Sequence, residues 1–88
     1  MDLRTRAQNF LDLPIPRGVD YGPDSAADMF IRNYTEAGDF DDELVEMGER
    51  AIVELDEALD EGPTAEVQEY FIECKSIVSE ILAELGVD

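Results

Sequence analysis

The sequence predicts an all-α domain. Apolar residues recur at helical spacing along the chain, Gly and Pro punctuate the windows between them, and no segment reads as a strand. At 88 residues the expectation is a single domain.

Leu3, Ala7, Phe10 and Leu11 recur at i, i+4, i+7 and i+8, which predicts a short helix over residues 2–12 with Arg4 and Arg6 off the apolar side. It must stop before Pro14. Residues 13–23, LPIPRGVDYGP, disfavour any regular element and read as a Pro/Gly-rich connecting loop whose Ile15, Val19 and Tyr21 pack on the domain. Ser25 to Asp28 fits a capping-box-like start, with Asp24 as the alternative cap. Ala27, Phe30, Ile31 and Tyr34 then share one face of a second short helix, and Gly38 supplies its stop.

Asp39 caps a third helix, expected over about 40–61 and ended by Gly62-Pro63. Phe40, Leu44, Val45, Met47, Ala51, Ile52, Leu55, Ala58 and Leu59 lie on one side of it. Asp42, Glu43, Glu46, Glu49, Glu54, Asp56, Glu57, Asp60 and Glu61 take the other, interrupted by Arg50 and Val53. Thr64 or Gly62 begins the last helix, expected over about 64–85. Val67, Tyr70, Phe71, Cys74, Ile77, Val78, Ile81, Leu82 and Leu85 form its apolar stripe. Glu66, Glu69, Glu73, Glu80 and Glu84 form an acidic ridge beside that stripe, while Gln68, Lys75 and Ser79 make a milder face that includes Ile72. The short connection at Gly62-Pro63 predicts an antiparallel helical hairpin, with the two shorter helices laid across it.

The charge divides the chain sharply. There are 23 Asp and Glu against 6 Lys and Arg, no His, and a formal charge of −17. Residues 1–38 are nearly balanced at −2, with Asp2, Asp12, Asp20, Asp24, Asp28 and Glu36 set against Arg4, Arg6, Arg17 and Arg32. Residues 39–88 carry the remaining −15, relieved only by Arg50 and Lys75. A helix needing only solubility gains a few tenths of a kcal/mol from each Glu/Lys pair at i, i+4, and like charges cost about as much. This chain repeatedly takes the costly spacing.

That balance excludes several function classes. Phosphate binding needs cations, so direct contact with nucleic acid is not expected, nor is an anionic membrane surface. The N-terminus has no apolar run of signal-peptide length, and the expectation is a cytoplasmic protein. Without His there is no imidazole base or ligand, and the single Cys74 offers neither a disulfide within the chain nor a thiol pair. An EF-hand loop begun at Asp39 would put Leu44 where Gly belongs and Arg50 where Glu belongs. The Glu spacings at 43, 46 and 49 lack the His of a di-iron helix, and a chain this small has little room for a sugar cleft. Cys74 sits on the apolar stripe as a buried thiol. The expectation is a non-enzymatic protein with no metal and no cofactor.

In size, charge and helical character the chain resembles the small acidic proteins with which phages and mobile elements block host nucleic-acid-binding machinery, the DNA mimics of restriction and CRISPR inhibitors. It is also similar to small acidic immunity or antitoxin proteins. The first resemblance implies an inhibitor whose anionic hairpin occupies a basic nucleic-acid-binding groove of a defence effector or other DNA-binding protein. Carboxylates at i, i+4 lie about 6 Å apart along the helix axis, near the distance between neighbouring phosphates on a strand. The partner surface is then the acidic set named above on both long helices. The alternative is a small assembly or adaptor protein, a homo-oligomer or a subunit of a larger complex, joined through Phe30, Tyr34, Tyr70, Phe71 and Ile72 as apolar anchors. In that reading the acidity is solvation or adaptation to high salt.

Overall fold

The computed structural model describes residues 2–14, 26–36 and 42–86. Within them the chain is all-helical: α1 spans Leu3–Leu11, α2 Ala26–Glu36, α3 Asp42–Asp60 and α4 Ala65–Glu84. Most of the connecting loop, the caps expected at Asp24, Ser25 and Asp39, the stop at Gly38 and the apolar Phe40 all lie outside the described residues.

Four of the helix boundaries have a local cause. Asp2 is the N-cap of α1, its Oδ1 accepting the Thr5 N–H at 2.7 Å, and that bond holds the Asp2 carboxyl below its ordinary range. The α3 helix ends ahead of Gly62, whose φ of +74° reverses the chain at a conformation that a side chain would strain. Thr64, rather than Gly62, caps α4 by accepting from the Val67 N–H at 3.5 Å, and Gly86 follows the last turn at φ +88°.

The four apolar faces meet around α4, which touches α1, α2 and α3; among the described residues α1 and α3 do not touch. Phe30, Ile31, Leu55, Cys74, Ile77, Val78 and Ile81 are fully buried. Ala27, Phe30, Ile31 and Tyr34 are the buried side of α2, as their spacing predicts, and Ala7 and Phe10 are that of α1. On α3 the buried line is Leu44, Gly48, Ala51 and Leu55, with Val45, Met47, Ile52, Ala58 and Leu59 flanking it half-buried.

At Gly48 the side chains of neighbouring helices press directly on the α3 backbone. A Cβ there would come within 2.7 Å of the Phe30 ring and 2.9 Å of Leu82, so only hydrogen fits. Its position between Leu44 and Ala51 keeps the helical period that larger apolar residues obey elsewhere. Glycine costs a helix roughly 1 kcal/mol relative to alanine, a cost that close packing offsets here.

Candidate functional site

The outer surface of α3 is set by the same winding that buries Leu44, Gly48, Ala51 and Leu55. Asp42, Glu43, Glu46, Glu49, Glu54, Asp56, Glu57 and Asp60 are all exposed, as is Glu61 just beyond the helix. Two other side chains share that face. Arg50 is exposed toward one edge, and Val53 is 55% exposed near its middle. The row from Asp42 to Asp60 extends over about 27 Å. Of these acids only Asp56 meets a cation among the described residues, the ammonium of Lys75 on α4.

The acidic ridge of α4 is arranged differently. Glu66 and Glu69 are exposed near its N-terminus, where Glu66 also complements the helix dipole. Glu73 and Glu80 instead face α1. Arg6 donates from Nε to Glu73 Oε1 at 3.0 Å and from Nη2 to Ser76 Oγ at 3.1 Å, while its Nη1 meets Glu80. The two carboxylates hold the guanidinium charged more firmly than usual, chiefly through the hydrogen bond to Glu73. Arg4 lies over the Tyr34 ring, 5.5 Å from its centroid, and the Tyr34 hydroxyl donates to Glu84 at 3.0 Å. Burial, and then that bond, push the Tyr34 hydroxyl's pKa up.

The fourteen acids proposed as one partner surface therefore fall into two sets. Asp42, Glu43, Glu46, Glu49, Glu54, Glu57, Asp60, Glu61, Glu66 and Glu69 face solvent; Asp56, Glu73, Glu80 and Glu84 are engaged by side chains of this chain. The apolar anchors of the alternative also divide. Phe30, Tyr34 and Phe71 are buried in the core, where four apolar faces converge on so small a volume that the large aromatics fill it. Tyr70 is half-buried against Phe10, ring centroids 5.0 Å apart, and Ile72 is 52% exposed. Ile72 is thus the one of the five that lies open.

Nothing in the described surface gathers reactive groups. Cys74 is buried, and burial pushes its thiol up to about 12, which keeps it protonated and unreactive at neutral pH. Among the described residues no group of three or more metal-ligating side chains is set to hold an ion. The described hollows are open: one of about 480 Å³ lies over Asp56, Glu57, Leu59 and Asp60, and one of about 400 Å³ lies between α1 and α2 beside Gln8, Asp12, Arg32 and Glu36. No described helix is long and apolar enough to cross a membrane.

Gly48 and the Arg6 contact are the features that residue patterns do not announce. The signal for the second is present but indirect: Glu73, Ser76 and Glu80 fall on one side of α4 beside the stripe that receives Ala7 and Phe10. Comparison with protein-family models, characterised proteins and solved structures finds no match.

Proposed function

We propose that this protein is a non-enzymatic acidic interaction protein whose anionic helical surface docks in a basic, nucleic-acid-binding groove of another protein and blocks it, in the manner of a DNA mimic. One observation carries the reading: on α3 every outward position except Arg50 and Val53 is a carboxylate, and among the described residues only Asp56 of them meets a cation. Surface solvation does not require that placement, because interleaved lysines would dissolve the helix equally well and stabilise it. A row of exposed carboxylates on a regular helix presents negative charge at a fixed spacing, the property an Arg- and Lys-lined groove selects.

The antiparallel hairpin belongs to the same reading. Asp56 pairs with Lys75 and Gly48 approaches Leu82, so that moving back along α3 corresponds to moving forward along α4. Such a hairpin packs one side of α3 and leaves its far side open.

The test is displacement. At low ionic strength the wild-type protein is expected to release labelled DNA or RNA from a panel of basic nucleic-acid-binding proteins, the effect fading in roughly 0.5 M salt. The variant carrying Glu46→Lys, Glu49→Lys and Glu57→Lys is expected to lose it while keeping its helical circular dichroism. Displacement by that variant equal to the wild type would overturn the proposal.

A further inference from the structure

Arg6 occupies a seat that is built for a guanidinium. Glu73, Ser76 and Glu80 stand at i, i+3 and i+7 on one side of α4, and all three are met by the same planar group. Its Nη2 also approaches Glu73 Oε1 at 2.9 Å, so one carboxylate is held from two nitrogens. The helix that delivers it is also held by apolar contacts. Ala7 and Phe10 are buried in the core, and Phe10 packs on the Tyr70 ring. Apolar burial on α1 therefore keeps Arg6 beside the ridge at a high effective concentration, against which a separate cation must compete.

We propose that Arg6 is an autoinhibitory contact: it fills the Glu73–Ser76–Glu80 guanidinium seat, so that an arginine-bearing partner is confined to the outer face of α3. The ligand class is read from the occupant itself, a guanidinium lying across two carboxylates and a hydroxyl. Arg4 lies over the ring of Tyr34, whose hydroxyl holds Glu84 one turn further along the ridge. This inference rests on the acidic surface being a docking face, and it determines how much of that surface is open.

A thermodynamic cycle with a labelled oligo-arginine peptide tests it at low ionic strength. The proteins are the wild type, Arg6→Gln, Glu73→Gln with Glu80→Gln, and all three changes together. Arg6→Gln is expected to tighten binding about threefold, the size of a freed exposed ion pair. Removing the two carboxylates is expected to weaken binding more in the Arg6→Gln protein than in the wild type, because only there is the seat open. A long-range charge effect is the same in both backgrounds, so an equal loss would overturn the proposal. The wild type supplies a readout that no variant's folding can confuse. Bound peptide is expected to shift α3 amide resonances and leave those of residues 73–80 in place; shifts as large at 73–80 as on α3 would also overturn it. Failure of nucleic-acid displacement bears on the function proposed above and leaves the outcome of this cycle unaffected.

Discussion

The two long helices are written in the same style and end in different circumstances. Each has an apolar stripe with carboxylates beside it, yet α4 is surrounded by three helices and α3 is in contact with two, α2 and α4. The ridge of α4 is therefore met by Arg6 and Tyr34, whereas the outer face of α3 meets Lys75 at Asp56 and otherwise faces solvent among the described residues. The lesson is that acidity along a helix does not define a surface. What defines it is which carboxylates the rest of the chain leaves unanswered, and here position in the bundle decides that.

The largest expected effect breaks the support on which the comparison stands. Gly48→Ala puts a methyl group against Phe30 and Leu82, and the Phe30 ring that must shift is fully buried. With contacts this close, overpacking in the upper part of the usual range, about 2–3 kcal/mol, exceeds the roughly 1 kcal/mol that alanine returns in helix propensity, for a net loss of about 1–2 kcal/mol. Val53→Ala, on the opposite side of the same helix, is expected to stay within about 0.5 kcal/mol. Urea unfolding of both variants measures the contrast, and a Gly48→Ala protein as stable as the wild type would remove the claim that α3 is pinned there.

How much of this was legible beforehand follows from the same geometry. The helices and most of their buried faces are local consequences of period: Ala27, Phe30, Ile31 and Tyr34 needed nothing but a helical repeat to be read as a core face. Thr64 was readable as one of two candidate starts, with Gly62, because cap chemistry is local too. Gly48 was not, since glycine in a helix interior signals only a cost until the neighbouring helix is seen to press on it. The division of the acidic set was not legible either. Glu73 and Glu69 are equivalent in spacing, and what separates them is an arginine sixty-seven positions from Glu73 in sequence. Contacts of that range depend on how helices are arranged, and composition carries no record of it.

A second difference between the helices lies inside the core. The stripe of α4 contains a titratable group and the buried line of α3 contains none. Burial raises the Cys74 thiol from an ordinary value near 9 to about 12. Because the folded value is the higher one, the associated stability is fully present below pH 9 and is lost as pH climbs toward 12. At a pH of about 10 the loss is roughly 1 kcal/mol. Tyr34 and Tyr70, also raised by burial, steepen the decline further up. Unfolding midpoints taken from neutral to alkaline pH are expected to fall in the wild type and to fall less in Cys74→Ala. An identical slope in both would mean that α4 does not keep the thiol dry.

The smallest effect is the most direct comparison, because the same chemical change is made on each helix and the signs should differ. Glu46→Gln with Glu49→Gln removes like charges from a face where neither side chain has an ion-pair partner among the described residues. Stability is expected to rise by a few tenths of a kcal/mol. Glu73→Gln with Glu80→Gln removes both carboxylates from Arg6 and is expected to lower stability by about 0.5–1 kcal/mol, the modest figure proper to pairs that remain well exposed to solvent. Added salt supplies the control, since at roughly 1 M the screening length shrinks to about 3 Å and both effects should contract toward zero. If the α3 substitutions proved destabilising instead, those carboxylates would have a stabilising role within the fold. They would then not be carboxylates held open for a basic partner, because the repulsion on α3 would no longer be a cost that folding alone leaves unexplained.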